Sequence, residues 1–373
     1  MAEFAKLKQE REKGGGVVTK PNIIHFTASS INAGMACPKL YKFKYKDRYR
    51  SSQVSGPMNI GILVHKGLEY FWRGQSLENA LQAMDREALT DWWIADPGRI
   101  AFRKAKAYVW GYYQKWDQPG GDEYKDFDIY IEQEFQFTLD GVTWAGKFDA
   151  LLHDKQNNNV TVLEHKTTAT AIDDETSVYF QKLPMDIQCT IYREAALRMC
   201  TGDAIDHMGR RVKLFGGQDD YSYKLPTVTY DVINTTKSSP KQKKKIAKRK
   251  TETDEEYAKR KEENQESMIE FYLRMVNAYE TNPDKYVRYD IPCTYDQHKI
   301  RLQELTRYAN LLKDRDKQGF LEIRNSTSCS NYGGCDFLDV CLGRETLAGH
   351  PKLMKLDGDH PELDGVGNFK ISY

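Results

Sequence analysis

Asp149, Glu164 and Lys166 stand where a β-sheet would ordinarily bury valine or isoleucine. In "GKFDALLHDKQNNNVTVLEHKTT", residues 146–168, an aspartate lies inside one apolar run and Glu-His-Lys closes the next. Alternate residues of a strand share a face, so Glu164 and Lys166 project together while Leu163 and His165 point the other way. A hairpin closed at the Asn run 157–159 would bring Asp149 beside Glu164. Two carboxylates there form a hard oxygen site of the kind Mg²⁺ or Mn²⁺ prefers, to which the backbone carbonyl of His165 could add. A neighbouring lysine can orient water and stabilise developing negative charge. The competing reading is an exposed Glu–Lys pair on an edge strand, and Glu-x-Lys alone does not decide between them.

The elements that must position these residues are legible around them. Ile129, Ile131, Phe135, Phe137 and Leu139 alternate with Tyr130, Glu132, Glu134 and Gln136, which predicts a strand with one apolar face. Asp140-Gly141 is a two-residue hairpin signal, so 142–152 is the return strand and 160–167 a third. Helical periodicity marks 61–72, about 77–93, 100–116, 184–200, 268–281 and 296–318, and "TVTYDVINTTK" (227–237) reads as a further strand. Residues 237–267 change character: "KSSPKQKKKIAKRK" is basic and the following stretch mixes signs. That pattern predicts an inserted charged helix or mobile arm, either plainly solvated or lying on a nucleic-acid backbone.

Two further constellations follow this order along the chain. "GILVHKGLE" places His65 on an apolar-faced helix, and "DIQCTIY" places Gln188 and Tyr192 one turn apart on one face. Each alone fits an ordinary structural role. Together with Asp149 and Glu164-x-Lys166, they resemble the PD-(D/E)XK nuclease superfamily, specifically its RecB-like branch. The resemblance implies an α/β fold with a restriction-endonuclease-like core, a mixed central β-sheet flanked by helices. It implies Asp149 and Glu164 as metal carboxylates, His65 as a further ligand, Lys166 as catalytic lysine, and Gln188 and Tyr192 on the DNA side of the site. Glu132, on the polar face of the first strand, is a candidate supporting group.

Cys37, Cys329, Cys335 and Cys341 form a four-thiolate set, with Pro38 after the first and five residues in each downstream gap. This arrangement is similar to RecB-like nucleases that carry a [4Fe–4S] cluster, such as the AddB nuclease domain and the CRISPR spacer-acquisition nucleases. There the cluster joins the N- and C-terminal segments. The first downstream gap is longer than that pattern, which leaves Cys329 the least secure ligand; Gly333-Gly334 indicates a looped-out turn. A structural Zn²⁺ site would use the same four thiolates. Cys189, Cys200 and Cys293 are expected as core residues.

The 373 residues are 40% hydrophobic and 29% charged, with a net charge of +1. That composition fits a globular protein and by itself offers no argument for nucleic acid. No apolar run approaches the ~18 residues of a membrane span. The charged N-terminus lacks a secretion signal's apolar core, so no membrane partner and a cytoplasmic location are expected, with the cysteines as thiols or metal ligands. Lys39, Lys42, Lys44 and Lys46 are candidate phosphate contacts or plain surface. The 23 tyrosines read mainly as core packing, though some could stack bases. The expected organisation is an N-terminal tail (1–25), a nuclease domain (26–345, with a charged insertion at about 205–267) and a C-terminal tail (346–373). The function implied is a metal-dependent deoxyribonuclease, an exonuclease acting on single-stranded or duplex DNA ends in recombination, repair or phage DNA processing. The alternative is a non-catalytic or partner-dependent subunit of a helicase–nuclease complex; the chain carries no Walker motif of its own.

Overall fold

The computed structural model describes residues 25–52, 56–88, 96–116, 124–172, 176–205, 211–212, 224–331 and 334–356. Its strands are β1 (His25–Phe26), β2 (Tyr49–Ser51), β3 (Phe127–Leu139), β4 (Val142–Asp154), β5 (Asn159–Thr168), β6 (Ala204–Ile205), β7 (Arg211–Val212), β8 (Thr227–Asn234), β9 (Tyr286–Asp290) and β10 (Leu353–Lys355). The longer helices are α1 (Ala28–Ala36), α2 (Gly56–Trp72), α3 (Leu77–Glu87), α4 (Asp96–Lys115), α5 (Ile187–Thr201), α6 (Asp254–Glu263), α7 (Met268–Glu280) and α8 (Tyr295–Lys317).

The main sheet runs β7-β6-β3-β4-β5-β8-β9, with β1 added in parallel beside the start of β4. It is mixed: β3, β4 and β5 are antiparallel neighbours, β5 and β8 are parallel, and β9 returns antiparallel. The β3–β4 hairpin turns on Asp140 and Gly141, both at positive φ (46° and 74°), the backbone that a tight hairpin of matching twist requires. Helices cover both faces. Leu63, Val64 and Leu68 of α2, with Tyr108 of α4 and Phe271 of α7, pack on Ala150, Leu152 and Leu163. Ile31 of α1, Ile191 of α5 and Leu305 of α8 pack on Leu151, Val162 and Val232. The mixed sheet flanked by helices is the architecture expected.

Four expectations need correction. First, β3 does not keep one apolar face. Ile129 and Ile131 pack with α2 and α4, whereas Phe135 and Phe137 belong to the opposite core. The partner strand switches at the same level, with Phe148 on one side and Ala150 on the other. Glu132, at φ 55°, is the cause; a left-handed residue breaks the two-residue alternation on which the single-face reading rested. Second, 205–267 is not one insertion, because β8 lies within it and pairs along β5. Third, residues beyond 345 are not merely a tail: β10 forms a two-stranded sheet with β2, whose edge hydrogen bonds need a partner. The helix expected at 77–93 runs to Glu87, and 89–95 lie outside the described residues. Fourth, Cys293 is half-exposed just before α8 rather than in the core, whereas Cys189 and Cys200 are 1% exposed. The large buried rings include Tyr108, Tyr112, Tyr230, Tyr279 and Tyr286, so much of the tyrosine content is core.

Candidate active site

The β4–β5 ladder runs from the pair Asp154 and Asn159 to the pair Ala150 and Leu163, and there it stops. The next pair would be Asp149 with Glu164. Instead of a backbone carbonyl, the amide of His165 finds the Asp149 carboxylate, Oδ2 accepting at 2.8 Å. The strands part at this point, and Asp149 lines a cleft of about 560 Å³ among α1, α2, α5 and the sheet; Glu164 is joined to it through Gln188, which also lines the cleft. Glu164 is only 4% exposed, so its charge needs partners close by.

Lys166 and Gln188 supply them. Lys166 Nζ donates to Glu164 Oε1 at 2.7 Å and to Gln188 Oε1 at 2.8 Å. Gln188 Nε2 donates to the same Glu164 oxygen at 2.7 Å, closing a triangle. Gln188 can reach because α5 begins here: Asp186 caps it, accepting from the Gln188 amide at 2.9 Å. Tyr192, one turn on, donates its hydroxyl to the carbonyl of Lys147 at 2.8 Å and lines the cleft. From the other wall, His65 of α2 sets Nδ1 3.2 Å from Asp149 Oδ1. Glu132 also lines the cleft, in an ion pair with Lys147.

Charge and burial oppose each other at these groups. Burial disfavours a charge on Asp149, but His65 beside it, with His165 and Lys166 further off, holds its pKa well below the usual carboxylate range. Glu164 is pushed up, by burial first and then by the Asp149 charge, against the pull of Lys166. Burial works against a cation at Lys166, yet Glu164 outweighs it and holds the ammonium above its ordinary value. His65 is likewise raised by Asp149 against the effect of burial. Burial raises Glu132, with Lys147 opposing.

The structure thus brings together His65, Asp149, Glu164, Lys166, Gln188, Tyr192 and Glu132. The side chain of His165 leaves the site, as strand alternation requires, and its Nδ1 stands 3.2 Å from Asp231 Oδ2 on the other face. Among the described residues, no three His, Cys, Asp or Glu side chains converge in ligating geometry. One observation does bear on a cation: Glu164 Oε2 is a buried carboxylate oxygen without a hydrogen-bond partner.

Sequence reasoning missed Lys147 and Asp231. Lys147 shares the "GKFD" stretch with Asp149, two residues earlier. Asp231 is a lone acid in the apolar "TVTYDVIN", the same signal that singled out Asp149. It is fully buried, accepting from Tyr112, with Arg288 Nε 3.7 Å away.

At the other end of the chain, the Cys37 segment is docked on 323–329. Asn325 Nδ2 and Ser328 Oγ both donate to Ala36 O at 2.7 Å, and the Asn325 amide donates to Cys37 Sγ at 3.4 Å. The long gap closes on itself, since the Cys335 amide donates to Cys329 O at 2.9 Å, with Gly334 at φ 120°. Burial raises the Cys335 and Cys341 thiols. Neighbouring Cys329 and Cys341 add to the first, Cys37 and Cys329 to the second. All four are free thiols. Lys39, Lys42 and Lys46 serve this junction, pairing with Glu322, with Asp47 and Glu322, and with Asp316. Lys44 is in the same turn and also has a partner.

A family model described as the PD-(D/E)XK nuclease superfamily matches residues 25–342. The chain belongs to that superfamily. Comparison with curated proteins gives no significant match. A solved structure from Eubacterium rectale, provisionally titled an exonuclease, covers 92% of this chain and 94% of its own at 11% identity. Its TM-score of 0.41 is too low to carry an argument. Among the described residues of this nuclease-family chain, no helix is long and apolar enough to cross a membrane.

Proposed function

We propose that this protein is a metal-dependent deoxyribonuclease of the RecB-like branch, an exonuclease that hydrolyses phosphodiesters at DNA ends. The observation that carries the reading is the Glu164–Lys166–Gln188 triangle beside Asp149, at the point where two strands part beneath an open cleft. The orphaned buried oxygen of Glu164, with the Asp149 carboxylate, is the hard oxygen chemistry that Mg²⁺ or Mn²⁺ takes. His65 beside Asp149 would be the third ligand once the three draw closer than they stand here. Such an ion, when bound, would supply a water of lowered pKa and neutralise charge on a phosphoryl oxygen. Lys166, held as a cation by Glu164, lies where charge develops as water adds to phosphorus and the ester oxygen departs. Gln188 fixes the direction of that ammonium, and the Tyr192–Lys147 contact fixes the wall facing the DNA. Glu132 of the adjacent strand pairs with Lys147, two residues before Asp149 on its own strand.

In this reading the four cysteines, free thiols that share one junction but are not in ligating geometry here, would close on a [4Fe–4S] cluster joining the chain ends; structural Zn²⁺ is the rival for the same thiolates. The biological setting is DNA recombination, repair or phage DNA processing, in the cytoplasm, with or without a helicase partner. The test is cleavage of end-labelled single-stranded and duplex DNA beside a closed circle, with Mg²⁺ or Mn²⁺. Metal-dependent ladders from one end, lost in Lys166→Ala while DNA binding persists, are expected. Cleavage of the closed circle would refute the exonuclease assignment. DNA binding without cleavage by anaerobically purified protein would favour the non-catalytic or helicase-dependent subunit.

A further inference from the structure

Residues 237–250 carry eight lysines and arginines and no acidic residue, in a chain whose overall charge is +1. All eight are exposed. The segment is an ordered excursion from the end of β8. Thr235 donates its amide to Thr168 O at 2.7 Å, and Asn234 donates its side-chain amide to the carbonyls of Thr168 and Thr170. In the parallel β5–β8 register Asn234 lies beside Thr168, two residues past Lys166. The basic segment therefore departs from the end of the sheet at which the cleft opens, and its root is tied to the turn that follows the catalytic strand.

The excursion holds its shape without most of its lysines. Its two limbs meet at Gln242 and Gln265, with the Lys243 amide on Asn264 O at 2.8 Å and the Glu266 amide on Lys241 O at 2.7 Å. Four of the seven acidic groups of the returning limb, 251–267, are engaged locally, while Glu255, Glu262 and Glu263 are exposed alongside the exposed Lys259 and Lys261. Glu252 takes Arg260, Glu266 takes Arg274, Asp254 takes Lys248, and Glu256 completes the capping box of α6. Lys243 pairs with Glu270 of α7. Lys237, Lys241, Lys244, Lys245 and Lys250 are left with no acidic partner among the described residues. A limb with no acidic residue of its own that presents five free ammonium groups is a surface for a polyanion.

We propose that 237–250 is a docking surface for the phosphate backbone of DNA, holding the substrate alongside the cleft without reading its sequence. This rests on the nuclease reading for the identity of the polyanion. The experiment compares Lys166→Ala protein with the same protein carrying Lys241→Gln, Lys244→Gln, Lys245→Gln and Lys250→Gln. Binding of a labelled duplex is followed by anisotropy between 50 and 300 mM salt, concentrations on the order of those over which phosphate contacts weaken. Each lost contact removes about 0.9 from the slope of log K against log salt, so a decrease of about 2 or more and roughly tenfold weaker binding at physiological salt are expected. On the Lys166 background the quadruple variant raises KM and leaves kcat near that of the parent. Lys317→Gln, on the 74%-exposed lysine at the end of α8, is the control and leaves the slope unchanged. Unaltered affinity and slope in a parent that binds and cleaves DNA would overturn the docking surface alone. Loss of polyglutamate binding with DNA binding unchanged would assign the surface to an acidic protein and overturn it likewise. A parent that neither binds nor cleaves DNA would overturn this inference together with the nuclease reading.

Discussion

Replacing Asp231 by asparagine should destabilise the fold far more than any surface charge change, because it strands a cation in the core. Asp231 is fully buried, its pKa depressed against burial by Arg288, His165 and the Tyr112 hydroxyl. Arg288 has a side chain only 7% exposed, Nε 3.7 Å from Asp231 Oδ1, and lies over the Trp116 ring at 3.8 Å. At that separation an effective dielectric of about 20 gives roughly 4 kcal/mol of attraction. This agrees with the ~3–5 kcal/mol that breaking one side of a buried pair costs. With about 2.1 cal/mol/K of unfolding entropy per residue, this length of chain should lose about 4–6 °C in Tm. The assay is thermal unfolding at pH 7, for Asp231→Asn and for the double variant Asp231→Leu with Arg288→Met. If the cost is an uncompensated charge, the double variant recovers at least half of the loss, since apolar replacement of a buried pair is often neutral. A single-variant shift below about 1 °C, or a double variant worse than either single, would refute the reasoning.

Four other outcomes are expected. Stability should fall as pH drops below about 4: Asp149 and Asp231 have folded pKa values below their unfolded ones, so their contribution is complete above the ordinary carboxylate value and lost as they protonate. Glu164, raised by burial, pulls weakly the other way; a Tm profile between pH 7 and 3 that is no shallower in Asp231→Asn would contradict the assignment. Lys166→Ala should lower kcat by about 10²–10³-fold, with Gln188→Ala closer to tenfold because it misdirects the ammonium without removing it; equal losses in steady-state assays would argue that Gln188 has a direct role. Gly67→Ala should destabilise by about 1–3 kcal/mol despite the better helix propensity of alanine, since its Cβ would stand 2.6 Å from Val109 Cγ2 and 3.0 Å from Met84 Sδ; a higher melting temperature would show that α2 and α4 can separate. Cys341→Ala should abolish bound iron and visible absorbance while Cys189→Ala, in the core, keeps both; stoichiometric zinc in the parent would replace the cluster.

Much of this arrangement was legible in the residues. Periodicity placed the principal helices and the β3–β4–β5 hairpins, and the order His65, Asp149, Glu164, Lys166, Gln188, Tyr192 identified the groups that the fold gathers. The reversal of faces at Glu132 was not legible, because glutamate ordinarily signals the polar face of an unbroken alternation, and nothing in its type announces φ 55°. Asp231 was passed over although it interrupts an apolar strand just as Asp149 does. Its partners, Tyr112 and Arg288, lie more than fifty residues away on either side, so pairing could not be read locally. The junction at Cys37 had the same difficulty: Lys39 and Lys42 looked like free cations until the fold set Glu322 against them.

The site exists because a sheet is left unfinished in one place. An apolar pair at 149 and 164 would let the β4–β5 ladder continue, and the strands would close over the cleft floor. Asp149 prevents this by giving the His165 amide a carboxylate in place of the missing carbonyl, so opening the ladder leaves no buried donor unpaired. The left-handed backbone at Glu132 on the neighbouring strand, which costs about 1–3 kcal/mol, changes the faces at that level. On the far side of β5 the Asp231 network anchors His165, the residue between Glu164 and Lys166. Strand β5 is thereby held from behind by buried charge and from the front by Gln188. A strand fixed on both faces can keep Lys166 within hydrogen-bonding reach of Glu164 where the ladder itself no longer does so.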